Sequence, residues 1–407
     1  MKKILILTPQ TPYPPDQGAP IRNYHLIKHL GANPQNQVTL LTFTRLDETP
    51  EQQAFARQEL EKYCKRVEFV PVPPPRSKIT RLRTLLLNPL PDLALRLGSA
   101  EFRAKLNQLV SETKFEVVQC EALELAPFVR EIFKGYVNRP KLILDNHNAE
   151  YLLQYRAYES DRKRGIKGLP LAAYSWLQAR RLKEYEAESL NFFDYGITVS
   201  EHDRNALLKI SPNTKIRVIP NGIDTQEFTP DSALEKPDQL VFTGSMDFRP
   251  NVDGMVWFGR EVWHLLKQHK PGAKLSIVGR RPLPSVKALA ELDGITVTGW
   301  VTDARPYMRE SCLYIVPIRM GGGVRFKVLE ALAMGKPLLT TSMGADGVNL
   351  VADKHAVFAD TVADFVEKAV ILLNNPALRA ELARAGREFV VENYDWSKIT
   401  PLLDEII

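Results

Sequence analysis

No stretch of this 407-residue sequence comes near the ~18 consecutive apolar residues of a membrane-spanning helix, so no segment is expected to cross a bilayer. The opening MKKILILTP places charge before apolar residues, but its apolar run is short and meets no small-residue cleavage site; it reads as a first strand. Cysteine is scarce. Cys64, Cys120 and Cys312 are odd in number and far apart, which argues against a disulfide framework or a zinc cluster and suits a reducing, cytoplasmic compartment. The first strand is not followed by a G-x-G-x-x-G turn, which sets a dinucleotide oxidoreductase last among the readings. There is no Asp-x-Asp pair to hold a divalent ion, no internal repeat and no low-complexity segment, and neither a metal nor a nucleic-acid partner is expected.

What the chain does have is a regular alternation of strand-like and helical runs, the pattern of parallel sheets covered on both faces. Twelve strand-like runs are readable, seven before residue 220 and five after residue 239, and between them lies the polar, proline-bearing PNGIDTQEFTPDSALEKPD. The expected organisation is a first domain over 1–222, a hinge over 223–238, a second domain over 239–394 and a terminal helix over 395–407. Charge divides with the domains: residues 1–222 hold 33 Lys and Arg against 24 Asp and Glu, or +9, while the remainder holds 21 against 24, or −3. Basic clusters interleaved with apolar residues (RSKITRLR, RKRGIK, RRLK) fit either solvated helix faces or an anionic membrane surface.

The most informative stretch is PIRMGGGVRFKVLEALAMGKPLLTT, residues 317–341. A helix that opens after glycines offers unpaired backbone N–H groups and the positive end of its dipole to an anion. Arg325 and Lys327 add two cations in the first turn, where the dipole disfavours them unless a phosphate is present. Glu330, one turn beyond Lys327, could accept two hydrogen bonds from a vicinal diol such as a ribose. The same residues also fit an ordinary helix start with a Lys327–Glu330 surface pair. In the first half, KLILDNHN sets Asp145, His147 and Asn148 at the carboxyl end of a buried strand, the edge at which open parallel sheets bind ligands. Arg22 and Asn23 read either as phosphate contacts or as plain helix-surface residues.

The LEALAMGKP run, the PNGID turn and the order of domains resemble glycosyltransferase family 4 over essentially the whole chain. That resemblance implies the GT-B fold: α/β, two Rossmann-like domains with parallel sheets facing a central cleft, and a C-terminal helix crossing back to the first domain. It implies a retaining transfer from a nucleotide diphosphate sugar to a hydroxyl acceptor, without a further cofactor, in cell-surface polysaccharide or glycolipid synthesis. The acceptor is then a glycan or lipid-linked glycan, with peripheral contact at the inner membrane face. By resemblance Glu330 holds the donor ribose, while Gly321, Gly322, Gly323, Val324, Arg325 and Lys327 surround the diphosphate. His147 matches a histidine that contacts the transferring sugar, Gly18 a loop glycine facing the donor phosphates, and Gly244, Arg280 and Val301 the strand ends around the nucleotide. Three positions depart from the pattern. Gly322 stands where the family has its first motif glutamate, and Ser245 and Asn251 stand where many members have the arginine and lysine that clamp the diphosphate; Arg249, Arg325 and Lys327 are the candidates to replace that charge. Two alternatives remain at this stage: a catalytically degenerate nucleotide-sugar-binding protein, and a nucleotide-sugar 2-epimerase.

Overall fold

Strands buried on both faces read as unbroken apolar runs, and the first of them, KILIL, is such a run. The computed structural model describes all residues except Gln17, Arg164, residues 232–233 and 322–325, together with the side chains of Lys78 and Lys167. The described chain forms two compact units, Met1–Pro220 with Thr400–Ile407, and Asn221–Ile399.

In the first unit seven strands form one parallel sheet: β1 (Lys2–Thr8), β2 (Asn36–Phe43), β3 (Arg66–Val70), β4 (Val117–Glu121), β5 (Lys141–Asp145), β6 (Tyr195–Thr198) and β7 (Ile216–Val218), in the order β3-β2-β1-β4-β5-β6-β7. The order reverses between β1 and β4, which pair directly from Ile4 opposite Val117 to Leu7 opposite Cys120, so the ligand-binding crevice of such a sheet belongs at their carboxyl ends. Helix α1 (Gly18–Ala32) follows β1, α2 (Lys78–Leu87) follows β3, and α3 (Glu150–Arg162) and α4 (Leu169–Phe192) form a hairpin after β5. Pro170 sits in the first turn of α4, where its missing N–H costs nothing. Helix α5 (Glu201–Ile210) is capped by Ser200, whose hydroxyl accepts from the Asp203 N–H at 3.1 Å.

The second unit repeats the plan with β8 (Gln239–Thr243), β9 (Lys274–Val278), β10 (Ile295–Gly299), β11 (Leu313–Val316), β12 (Leu338–Thr340) and the short edge strand β13 (Val357–Phe358), in the order β10-β9-β8-β11-β12-β13. Its switch point lies between β8 and β11. Helix α6 (Arg249–Trp257) follows β8, α7 (Phe326–Ala333) follows β11, and α8 (Pro376–Asn393) packs on α7. Helix α6 begins at Arg249, with Pro250 pre-set for its first turn.

The segment 223–238, expected to be a hinge, packs into the second unit instead. Ile223 N–H donates to the Tyr394 carbonyl at 2.8 Å, Lys236 N–H to Glu310 O at 2.8 Å, and Glu235 lies 3.4 Å from Arg379. The terminal segment also differs from expectation: Trp396–Ile399 closes the second unit as a short helix, and only Thr400–Ile407 joins the first. There Asp404 meets His29 at 2.9 Å, and the Ile407 and Ile406 carbonyls accept from Lys2 at 3.0 Å and Lys141 at 3.1 Å.

Helix α1 lies so close to the chain after α-helical residues 50–60 that a Cβ on Gly31 would fall 2.0 Å from the Tyr63 carbonyl oxygen, with only backbone atoms facing it. Gly31→Ala should therefore destabilise the first unit by about 1–3 kcal/mol, read as a lower denaturant midpoint at unchanged slope. An unshifted midpoint would mean that α1 can move off Tyr63 at no cost.

Candidate active site

At the carboxyl edge of the first sheet the chain buries a set of charged groups. Arg22, on α1, is fully buried and grips Asp145 at the end of β5, with Nε at 2.8 Å and Nη2 at 2.7 Å from Oδ2. Its Nη1 also donates to the carbonyls of Ile219 at 2.8 Å and Pro220 at 3.1 Å. Arg22 is thus neither a phosphate contact nor a surface residue, as the two sequence readings had it; it ties α1, β5 and the exit from β7 together. Burial opposes ionisation of Asp145, but Arg22 outweighs it and, with His147, holds the carboxyl below its ordinary range.

Two residues past β5, His147 takes a φ of +55°, a left-handed conformation uncommon outside glycine. The backbone is held there from both sides. Its N–H donates to Asp145 Oδ1 at 3.1 Å, and its carbonyl accepts from Val199 N–H at 3.2 Å. The ring turns Nε2 inward, buried and without a hydrogen bond, 3.6 Å from Oε2 of Glu121. Burial pulls the imidazole below its ordinary range, against the attraction of Asp145.

Glu121 ends β4 and is 1 % exposed. Burial, and then the neighbouring Asp145 carboxylate, push it up to about 8, although Arg22 pulls the other way. Asn23, with its amide turned to donate, reaches Glu121 Oε2 at 2.9 Å and Ala19 O at 3.2 Å. Two further glutamates lie behind. Glu186 of α4 accepts from the first N–H groups of α3, Glu150 at 3.0 Å and Tyr151 at 3.1 Å, and so caps that helix from a distance. Burial takes Glu186 up to about 7, and burial with Glu124 and Glu186 takes Glu150 up to about 8. Sequence reasoning singled out none of these glutamates. Glu121 was open to the rule that found His147, a polar residue directly after an apolar strand, while Glu150 and Glu186 carry no local signal. Glu121, Asp145 and His147 bring one ligand-type atom each within 4.8 Å of one another, but Arg22 already balances Asp145, so the group needs no cation. Gly18, the loop glycine, is exposed and opens α1.

In the second unit, glycines close three adjacent strands. Gly244 has φ +150° and Gly279 φ +154°, and a Cβ on Gly279 would fall 1.7 Å from the Gly244 carbonyl oxygen, so only glycine allows the two strand ends to meet. Gly299, φ +72°, closes β10 and receives the Gly279 N–H at 3.2 Å. Lys327, near the start of α7, reaches across the end of β8: its Nζ donates to the Thr243 carbonyl at 2.9 Å and to Asn251 Oδ1 at 2.8 Å, over the face of Phe242 at 4.1 Å. Asn251 in turn donates to Ser245 O at 2.8 Å, so one amide holds both the strand-end loop and the cation. A Cβ on Gly244 would lie 2.6 Å from Lys327 Nζ.

Glu330 stands one turn further on, part-buried, and among the described residues nothing donates a hydrogen bond to its carboxylate. Burial raises it, Lys327 opposes that rise, and Glu227 adds to it. Arg280 brings Nε to 3.4 Å from Ser245 Oγ, Val301 packs on the core just beyond β10, and Arg249 is exposed at the first position of α6. Gly321, φ +102°, is the last described residue before Gly322, Gly323, Val324 and Arg325, which lie outside the described residues. The structure thus brings Gly244, Lys327 and Asn251 into contact at one strand end, with Glu330 on the same helix as Lys327. His147 belongs to the other unit, with Glu121 and Asp145.

Comparison with known proteins bears on the fold and the family of the chain. The model for Glycosyltransferase Family 4 matches residues 17–227, more than half of the chain, and that for Glycosyl transferases group 1 matches residues 237–375. A Klebsiella pneumoniae protein described as an uncharacterized 44.6 kDa protein in cps region is 22% identical over 410 residues, covering 98% of each chain. A GDP-mannose-dependent alpha-(1-6)-phosphatidylinositol monomannoside mannosyltransferase of Mycobacterium tuberculosis is 27% identical over 241 residues, 51% of this chain and 60% of that one. Among solved structures, sucrose-phosphate synthase from Thermosynechococcus elongatus has the same fold at 15% identity, with a TM-score of 0.73 over 100% of this chain and 98% of its own. Two parallel sheets of matching strand order, with family models covering both, make this a GT-B glycosyltransferase: the chain belongs to glycosyltransferase family 4.

Proposed function

We propose that the protein transfers a sugar from a nucleotide diphosphate sugar to a hydroxyl acceptor, with retention of configuration, in the synthesis of a cell-surface polysaccharide or glycolipid. The observation that carries this reading is the cation at the end of β8. Where the resemblance called for a lysine the chain has Asn251, yet Lys327 arrives from α7 and puts its ammonium 2.8 Å from that amide. A positive charge therefore stands beside the Gly244 strand end, where backbone can approach a ligand closely. Transfer generates a nucleoside diphosphate, and a fixed cation beside the departing phosphates stabilises the charge that develops on them. The departing phosphate oxygen then takes the proton of the attacking hydroxyl as the glycosidic bond to the acceptor forms. Glu330, with a carboxylate to which no described group donates, serves the ribose diol. The kinship with a phosphatidylinositol monomannoside mannosyltransferase supports a glycan or lipid-linked acceptor.

A membrane contact accompanies this reading. Helix α2 exposes Ile79, Leu82, Leu86 and Leu87 by 81, 59, 74 and 74% of their surface, and the first three recur at helical spacing. Its other side is held by α4, through Arg81 to the Tyr174 hydroxyl at 3.1 Å and Arg181 to the Leu85 carbonyl at 2.9 Å. Arg81 and Arg83 are exposed on the same helix, and residues 1–222 carry +9. An aliphatic stripe flanked by arginines suits the interface of an anionic bilayer, where each cation adds about 1 kcal/mol.

Lys327→Ala should lower kcat by roughly 100-fold with little change in KM for the donor, because its charge acts mainly as the diphosphate departs. Glu330→Ala should instead raise the donor KM and erase discrimination against a deoxyribose donor. Steady-state transfer kinetics read both, and normal turnover in Lys327→Ala would remove the lysine from the mechanism. Absence of both transfer and donor hydrolysis in the unaltered protein, across a panel of nucleotide sugars, would favour the degenerate binding protein. For α2, sedimentation with vesicles containing phosphatidylglycerol should show binding at low salt that weakens at high salt and is lost in Ile79→Asp/Leu86→Asp. Equal binding by that double variant would take α2 out of the contact, and a lipid-free dimer abolished by the same substitutions would assign the face to self-association.

A further inference from the structure

The buried pair in the first unit has chemistry that the transfer reading does not use. Glu121 Oε2 and His147 Nε2 face each other at 3.6 Å, a gap that a small side-chain rotation closes, as catalytic hydrogen bonds do when a ligand arrives. Neither group is free to turn away. The His147 backbone is pinned by Asp145 and Val199, and Glu121 is held at the strand end by Gln119 Nε2 on Oε1 and Asn23 Nδ2 on Oε2. Nε2 is buried, so Nδ1 is the ring nitrogen left for a ligand. A neutral imidazole carries one hydrogen, and which nitrogen bears it is fixed by the partner of the other.

We propose that Glu121 is a positioning residue that sets the tautomer of His147: the carboxyl donates its proton to Nε2, so Nδ1 carries the ring hydrogen and is presented to the transferring sugar as a donor. The surrounding charges favour this state near neutral pH. Burial and Asp145 keep the proton on Glu121 up to about pH 8, against Arg22, while burial keeps His147 neutral although Asp145 and Glu124 attract its charged form. The protonated carboxyl and the neutral ring then hold one hydrogen each, and with the carboxyl O–H directed at Nε2 the ring hydrogen is left on Nδ1. Above pH 8 Glu121 becomes a carboxylate that can only accept, so the ring hydrogen moves to Nε2 and Nδ1 turns from donor to acceptor. No covalent bond to the sugar is involved, and the proton lost by Glu121 goes to solvent.

The sugar contact of His147 rests on the proposed transferase reading, whereas the tautomer does not, and the experiment separates the two. In protein labelled with ¹⁵N-histidine, His147 is assigned by its loss in His147→Gln. At pH 6.5 its Nδ1 should show a protonated-type shift and its Nε2 an unprotonated one, exchanging as pH passes about 8. Glu121→Gln, whose amide can still donate to Nε2, should keep the Nδ1–H form at pH 9, and Glu121→Ala should show the Nε2–H form that imidazole prefers in water at both pH values. An Nε2–H tautomer at pH 6.5 in the unaltered protein, or one indifferent to Glu121→Ala, overturns the proposal. Kinetics supply the other arm. The unaltered enzyme should lose kcat above pH 8, Glu121→Gln should not show that fall, and Glu121→Ala should be low throughout. If the tautomer follows Glu121 but kcat ignores it, the tautomer control stands and the sugar contact of His147 is overturned.

Discussion

One ion pair holds the first unit's working edge in place. Arg22 and Asp145 are both completely buried, and taking either away would strand a charge in the protein interior at a cost of about 3–5 kcal/mol. What the pair secures is geometric. It locks α1 to β5, reaches the carbonyls at 219 and 220 where the unit ends, and leaves the second oxygen of Asp145 to hold the His147 backbone at positive φ. Glu121 keeps its proton chiefly because it is buried, with the ionised Asp145 carboxylate adding to that and Arg22 opposing it, while Asp145 is ionised because Arg22 is there. The unusual conformation of His147 thus depends on one guanidinium.

In the second unit the governing constraint is where the Lys327 ammonium stands. The resemblance to family 4 raised the question of what replaces the arginine and lysine after the first strand, since Ser245 and Asn251 occupy those positions. Lys327 answers part of it: a longer reach from α7 delivers an ammonium to the same amide, and Asn251, too short to carry the charge, orients it. Substitution at 251 and recruitment at 327 are two halves of one arrangement. Arg249, another candidate, is exposed at the first position of α6.

The strands were legible because parallel strands buried on both faces leave continuous apolar runs, and all twelve that the sequence displays are present, with the two-residue β13 an edge strand too short to mark its own bounds. Local chemistry was legible too: Ser200 caps α5, and His147 stands just beyond a buried strand. What failed was whatever depends on distant partners. Arg22 looks like a surface residue because its partner is 123 positions away in sequence, and Glu186 looks like any helical glutamate because the N–H groups it caps belong to another helix. The basic cluster around Arg81 was visible, but only tertiary packing decides that Leu85 faces α4 while Ile79, Leu82 and Leu86 face outward. The segment 223–238 read as a hinge from its polarity, whereas its backbone bonds make it part of the second unit.

The net charge of the first unit is a poor guide to its site. Residues 1–222 carry +9, which by itself suggests an anionic ligand, yet at the carboxyl edge of the sheet the arginine is consumed by Asp145 and the remaining groups are glutamates. With Glu121 and Glu150 raised to about 8 and Glu186 to about 7, that edge is close to neutral at physiological pH. A nearly neutral set of hydrogen-bonding carboxyls and an imidazole suits hydroxyl groups better than phosphates, to which it offers no counter-charge. The positive charge lies elsewhere, on exposed positions such as Arg81, Arg83, Arg162 and Lys163, where it can act on a surface but not on a bound sugar. In the second unit the balance is reversed: the sequence there is slightly acidic, but the strand end carries a fixed ammonium. In neither unit does the charge at the strand ends follow the charge that composition reports.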